Sequence, residues 1–231
     1  MYDFVTGEIL AFDKPYHWTS FDLVGKVRNF LSRELKLKKL KVGHAGTLDP
    51  LATGLIIICT GKATKQIETL QAQEKEYIAT VHFGATTPSF DKETGENQQF
   101  PADHITKELL EETLQEFCGE IDQVPPAFSA VKIDGKRAYL HARKGNLPEL
   151  KSKTVIIKEI ELLDFEKPEA TLRIVCSKGT YIRALARDIG ENLQSGAYIT
   201  ALRRTRIGVF NVEKAFTFDS FKQEFKKNEI G

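Results

Sequence analysis

Asp49 is the residue of this chain whose setting best suits chemistry. It stands in Lys41-Val42-Gly43-His44-Ala45-Gly46-Thr47-Leu48-Asp49-Pro50-Leu51-Ala52-Thr53-Gly54-Leu55, a glycine-punctuated loop that runs straight into the apolar segment Leu55–Cys59. Gly43, Gly46 and Gly54 permit backbone angles closed to other residues and let a ligand approach the chain closely. Pro50 biases Asp49 toward an extended conformation and away from helix. A carboxylate on a loop that is rigid at that residue and open around it is well placed to act as a nucleophile. The glycines also evoke a phosphate-binding loop, but that motif needs Gly-Lys followed by Ser or Thr. Here Gly61-Lys62 is followed by Ala63.

Thirteen residues of this stretch, Gly43 to Leu55, resemble the catalytic motif of the TruB family, the bacterial tRNA pseudouridine-55 synthases. Four further matches extend the resemblance across nearly the whole chain. Lys14-Pro15-Tyr16-His17-Trp18-Thr19-Ser20 is similar to the family's first motif, although the family usually carries a glycine where this chain has Tyr16-His17-Trp18. Lys75-Glu76-Tyr77 resembles the strand that brings the family's tyrosine against the target base. The segment from Gln123 to Tyr139 matches another stretch, read mainly as architecture beside a cleft, with Lys132, Lys136 and Arg137 as phosphate contacts. The run from Cys176 to Gly190 looks like the motif that bears the family's arginine, and Ala201-Leu202-Arg203-Arg204-Thr205 resembles its closing motif.

The resemblance implies an isomerase that breaks the N-glycosidic bond of a uridine and rejoins the ring through C5. Nothing is oxidised and nothing is lost, so no redox cofactor, metal or nucleotide is expected. The target base has to be extruded from structured RNA, which costs about a few kcal/mol. In that reading Asp49 is the essential carboxylate, attacking either C1′ of the sugar or C6 of the base. Arg183 pairs with it, holding it ionised and aimed. Tyr77 stacks on the uracil and assists proton removal from C5. Tyr181 and Leu202 form other walls of the pocket, and His44 fills the space the base vacates. Asp91 is a further RNA contact in an open loop. The substrate implied is the T arm of tRNA, bound through shape and splayed bases. The basic stretch 33–41 and Arg203, Arg204 and Arg206 are the candidates for backbone contact, so binding should weaken with salt.

These residues need elements to hold them. Thr6 to Asp13 reads as a strand. Thr19-Ser20 can cap a helix over residues 21–35, where Phe21, Val24, Val27, Phe30 and Leu31 recur at helical spacing. Leu55–Thr60 is a buried strand, and Tyr77, Ala79, Val81 and Phe83 alternate as in a half-buried one. Ala85–Gln98 reads as a loop. Residues 106–118 form an amphipathic helix stopped by Gly119. Thr154–Phe165 and Ala170–Ser177 are paired strands, and Tyr181–Leu193 is a helix with Ile182, Leu185, Ala186, Ile189 and Leu193 inward. Adjacent strand pairs dominate, so the expected fold is α+β, a mixed and mostly antiparallel central sheet flanked by helices. The resemblance makes it the pseudouridine synthase catalytic fold. We expect one catalytic domain over residues 1–231, with the C-terminal RNA-binding appendage of many relatives minimal or absent.

Composition is that of an ordinary soluble protein, with 41% hydrophobic and 28% charged residues. No apolar run reaches bilayer-spanning length and the N-terminus has no secretory character, which points to the cytoplasm. Cys59, Cys118 and Cys176 are far apart in apolar context and read as buried thiols, and the five histidines show no metal-ligand spacing. Net charge is only +1, but it is unevenly spread. Lys26 to Lys41 holds seven basic residues against Glu34 alone, whereas Glu108 to Asp122 holds six acids and no base. Such polarity can orient a polyanion, and it can equally be two solvated helix faces. No obligate protein partner is expected, and the absence of a large self-complementary apolar surface predicts a monomer. The competing readings are a tRNA-folding or RNA-binding module, a related synthase acting on another RNA, and a small-molecule hydrolase using Asp49. The last lacks a second positioned acid or base.

Overall fold

The structure is a computed structural model that describes residues 2–129, 132–133, 136–138 and 150–229. In chain order its main elements are β1 (Ile9–Lys14), α1 (Ser20–Glu34), β2 (Val42–Ala45), β3 (Ala52–Thr60), α2 (Ile67–Ala72), β4 (Lys75–Phe83), α3 (Lys107–Glu116), β5 (Gly119–Gln123), β6 (Lys153–Glu166), β7 (Glu169–Cys176), α4 (Ile182–Asn192), β8 (Ala197–Ile207) and α5 (Phe218–Glu229). They fall into two compact units, Met1–Tyr77 with Leu202–Gly231, and Ile78–Ala201. The fold is α+β on mostly antiparallel strands, as the sequence pattern predicts. Among the described residues no helix is long and apolar enough to cross a membrane.

The first unit is organised around β3. Strand β1 runs antiparallel beside it from Ile9 opposite Cys59 to Lys14 opposite Gly54. The end of β3 also pairs antiparallel with β2, and its start pairs parallel with β8, Leu202 lying opposite Ala52 and Arg204 opposite Gly54. Both faces of β3 are covered. Ile56 and Ile58 join Leu10 and Phe12 against Leu23, Val27, Phe30 and Leu31 of α1 and Phe221 and Phe225 of α5. Leu55, Ile57 and Cys59 pack on the other side with Ala45, Ile207 and Val212. A strand buried on both faces reads as a continuous apolar run rather than an alternation, which is why Leu55–Cys59 stands out in the sequence. Helix α1 starts where expected: the Thr19 hydroxyl accepts from the Asp22 backbone N–H at 3.0 Å, and Asp22 accepts from the Thr19 N–H at 2.8 Å. This reciprocal cap satisfies two otherwise orphaned donors.

In the second unit the strands lie in the order β4, β7, β6, β5. The β6–β7 pair runs antiparallel from Ile157 opposite Cys176 to Glu166 opposite Glu169. Helix α3, capped by Thr106, packs against β6 and α4. Helix α4 buries Ile182, Leu185, Ala186 and Ile189, as its spacing predicts, and buries Arg183 with them. The expected loop Ala85–Gln98 contains only a two-residue pairing, Ala85 opposite Gln99 and Thr86 opposite Gln98. Cys59 and Cys176 are buried, but Cys118 is exposed, because it lies past the C-terminal end of α3 and outside the packed face.

Candidate active site

Asp49 is half-buried, and the backbone on both sides of it is tied down. The Ser20 hydroxyl donates to the Leu48 carbonyl at 3.1 Å and accepts from the Leu48 N–H at 2.8 Å. The His17 N–H donates to the Pro50 carbonyl at 2.9 Å, and the Ala52 N–H donates to the Asp49 carbonyl at 3.1 Å. Arg204 reaches the same loop from β8. Its Nε donates to the Leu55 carbonyl at 2.7 Å, Nη2 to Gly46 at 3.0 Å and Nη1 to Thr47 at 3.4 Å, with the residue only 1% exposed. Such a fork satisfies several buried carbonyls at once in a way one point charge does not. Gly54 makes the approach possible: its φ is +105°, and a Cβ there would lie 2.3 Å from the Arg204 carbonyl oxygen.

A lysine and a histidine of this unit also bear on the loop. Lys14 is fully buried, its Nζ donating to the Trp18 carbonyl at 2.6 Å and to the Pro15 carbonyl at 3.0 Å. Burial pushes its pKa from 10.5 down to about 8, with the Asp49 charge pulling up and Arg204 pushing down. His44, on β2, is also held below its usual range, first by burial, against the upward pull of a backbone hydrogen bond at Gly46 and with Arg204 adding to the fall. Its imidazole is therefore neutral at physiological pH. His44 Nδ1 is buried and has no hydrogen-bond partner among the described residues. Leu202 sits on β8 opposite Ala52, close along the chain to Asp49. Tyr77 is buried on β4, whose inward residues alternate as expected. The start of β4 is joined to β8 by the Thr205 hydroxyl donating to Glu76 Oε1 at 2.7 Å and Arg206 Nη2 donating to Glu74 Oε1 at 2.7 Å. This unit thus gathers His44, Asp49, Tyr77 and Leu202 on adjoining strands and the loop between them.

The second unit carries Arg183 and Tyr181. Arg183 is 4% exposed at the start of α4. It donates through Nη1 to the Ser89 carbonyl at 2.9 Å and through Nη2 to the Phe128 carbonyl at 2.8 Å, and its Nε lies 3.6 Å from Asp91 Oδ2. Asp91 is buried rather than displayed on an open loop: Thr87 and Ser89 donate their hydroxyls to its carbonyl, and Arg187 packs over the neighbouring Phe90 ring. Polar composition marks the segment as a loop, but inward hydroxyls close it. Tyr181, the N-cap of α4, has no side-chain cap of its own. Gln123 supplies one, accepting from the Tyr181 N–H at 2.8 Å and donating to its carbonyl at 3.2 Å.

The arginines expected to contact the RNA backbone all have partners within the protein. Arg203 is engaged by Asp13 through two donors at 2.7 and 3.1 Å, Arg206 by Glu74, and Arg204 by backbone carbonyls. Arg204 is an internal strut, whereas the Arg203 and Arg206 side chains are ion-paired and partly exposed, by 42% and 29%. No local signal in the sequence marks the clamping roles of Arg204 and Gln123, whose hydrogen bonds are made across the fold. The side chains of Lys132, Lys136 and Arg137 lie outside the described residues. Among the described residues no group of three His, Cys, Asp or Glu side chains could hold a metal ion.

The chain as a whole is similar to known proteins. Residues 33–182 match the TruB family pseudouridylate synthase N-terminal domain, and residues 183–229 match the tRNA pseudouridylate synthase B C-terminal domain. The chain is 60% identical over 228 residues to the tRNA pseudouridine synthase B of Phocaeicola vulgatus, covering 99% of this chain and 97% of that one. It is 50% identical to the protein of the same name from Flavobacterium johnsoniae, covering 97% and 98%. Among solved structures it superposes on a chain of a Cbf5–Nop10–Gar1 complex with a TM-score of 0.72 and 29% identity, spanning 97% of this chain but 57% of that one.

Proposed function

The chain belongs to the TruB family of pseudouridylate synthases, and from that premise we propose that it converts uridine 55 in the T loop of tRNA to pseudouridine. The observation that carries the reading is a half-exposed carboxylate whose flanking backbone is fixed on both sides, the arrangement a nucleophile needs if it is to meet a base at one defined angle. In this reading the uridine is swung out of the RNA and Asp49 attacks it. Attack is at C1′ of the sugar or C6 of the base. The C1′–N1 bond breaks, the freed ring turns, C5 bonds to C1′ and the bond to the carboxylate is released, while C5 loses its proton and N1 gains one, so the product is an isomer of the substrate. Arg183 keeps the carboxylate charged and aimed. Tyr77 stacks on the uracil and assists the proton transfer, with Tyr181 and Leu202 as the other walls. His44 occupies the space left in the RNA, where a neutral, flat imidazole suits a nucleobase neighbour. The enzyme acts as a monomer in the cytoplasm, without cofactor or obligate protein partner.

The test is incubation with an unmodified tRNA transcript and no added cofactor, followed by carbodiimide-dependent reverse-transcription stops. A stop at position 55 is expected with the wild type and none with Asp49→Asn, which should still bind the transcript. No stop with the wild type, or an undiminished stop with Asp49→Asn, refutes the proposal.

A further inference from the structure

The turn between β1 and α1 displays aromatic side chains that the chemistry above does not use. Pro15, Tyr16 and His17 are all exposed, Tyr16 by 44%. The Tyr16 and His17 rings lie 4.2 Å apart between centroids and are inclined by 57°. Phe21, on the first turn of α1, is 68% exposed. Beside them the Lys26 ammonium lies 5.6 Å from the Trp18 ring centroid. Isolated exposed apolar residues need no explanation. This group differs because it is rigidly held and because of what holds it.

Lys14 ties down both ends of the turn from beneath, through the Pro15 and Trp18 carbonyls. His17 has φ +66°, a left-handed conformation that disfavours any residue with a Cβ. Such a conformation persists where the surroundings over-determine it, and it concentrates at ligand clamps. Its N–H is bonded to the Pro50 carbonyl, while Ser20, at the other end of the turn, is bonded to Leu48. The aromatic turn is therefore fastened to the residue before Asp49 and to the residue after it.

We propose that Tyr16 and His17 form a stacking platform for a nucleobase of the substrate RNA adjacent to the extruded uridine. The inference rests on the reading of Asp49 as the carboxylate that meets that uridine. Extruding one nucleotide strips its neighbour of a stacking face. An aromatic surface anchored to the carboxylate's own loop supplies a replacement, and any base accepts it through its π-face. The exposed cation Lys26 beside the turn favours a polyanion over an apolar protein partner.

The test uses an Asp49→Asn background, so that bound RNA is not turned over, and a T-arm stem-loop carrying 2-aminopurine on one side or the other of the target uridine. Binding to the parent should quench the fluorophore on one side, and Tyr16→Ala/His17→Gly should abolish that quench. Stacking contributes about 1–3 kcal/mol per base, so Kd for the unlabelled stem-loop should rise about 5- to 150-fold in the double variant. Tyr16→Phe keeps the ring and should stay within about twofold of the parent. With Asp49 intact, the double variant's loss should appear in the RNA concentration for half-maximal rate rather than in the saturating rate. An unchanged Kd and quench in a folded double variant overturns the platform while leaving the synthase reading standing. So does a loss confined to the saturating rate, which would make the turn a support for Asp49 alone. A wild type that makes no pseudouridine overturns both.

Discussion

Arg204→Lys separates positioning from charge at the Asp49 loop. Arginine here donates to three backbone carbonyls, of Leu55 at 2.7 Å, Gly46 at 3.0 Å and Thr47 at 3.4 Å. A lysine ammonium is one point and cannot span acceptors on both sides of Asp49. If it keeps Gly46, the substitution strands Leu55 and the long contact to Thr47. Losing a hydrogen bond from a charged donor costs about 1.5–3 kcal/mol, and the stretched one contributes less, so the total is about 3 kcal/mol. For a chain of this length each kcal/mol lowers Tm by about 2–4 °C, giving a fall of about 6–12 °C in a calorimetric scan. The catalytic effect is separate. Gly46 and Thr47 precede Asp49 by three and two positions, and a shift of about 1 Å in a reacting group costs roughly a hundredfold in rate. Single-turnover pseudouridine formation, measured well below the variant's Tm and at saturating tRNA, should fall by about that factor while tRNA affinity holds. A variant with wild-type Tm and wild-type saturating rate would show that the fork neither supports the loop nor aims the carboxylate.

Lys14 provides a pH signature. Its pKa is 10.5 unfolded and about 8 in the fold. Between those values the unfolded chain binds a proton that the folded protein does not, so this group's contribution to stability increases as pH rises through the window. The difference in urea midpoint between wild type and Lys14→Met should shift in the wild type's favour from about pH 8 to about pH 10.5, and a flat difference refutes the shift. Gly54→Ala forces a left-handed residue into contact with the Arg204 backbone and should cost about 2–5 kcal/mol in urea unfolding. A loss well below 1 kcal/mol would mean that β8 can back away from β3. Arg183→Lys keeps the charge but cannot serve both the Ser89 and Phe128 carbonyls, so the single-turnover rate should drop roughly a hundredfold with little change in tRNA binding. An unchanged rate would refute the role proposed for Arg183.

Elements whose burial is one-sided or complete were legible in the sequence, because burial writes the period. Helix α1 carries its cap and its apolar stripe in consecutive residues, and β3 is apolar throughout because both its faces are covered. Strand β8 was legible only as the short motif 201–205, although it runs from Ala197 to Ile207. Three of its residues are arginines whose partners hide their polarity, so the alternation that marks a half-buried strand is broken. Helix α5 escaped for a related reason: Phe221 and Phe225 anchor it to the core among mostly polar neighbours, and two apolar positions make a weak period. Gly54 shows the limit at a single residue. The need for a glycine before an apolar strand is readable, but the need comes from a backbone 150 residues further along the chain.

The same limit decides which basic residues face the substrate. Arg203, Arg204 and Arg206 form the densest positive cluster near the family's closing motif, and the acids that answer two of them lie far off in sequence, Asp13 being 190 positions from Arg203 and Glu74 132 from Arg206. A charge run implies an RNA surface only when its partners are local enough to be counted, and here they are not. In the stretch Lys36–Lys41 the lysines at 36, 38, 39 and 41 are exposed, whereas Leu40 is buried, so the side chains that anchor the segment and those that remain available differ in kind as well as in position. Exposed lysines are solvated point charges that favour a phosphate backbone through its counterions, whereas guanidiniums fixed on carbonyls hold shape. The two kinds of positive charge in this chain therefore make opposite salt predictions: tRNA affinity lost on neutralising Lys38 and Lys39 should fade as ionic strength rises, and the stability lost in Arg204→Lys should not, because a buried fork is barely screened.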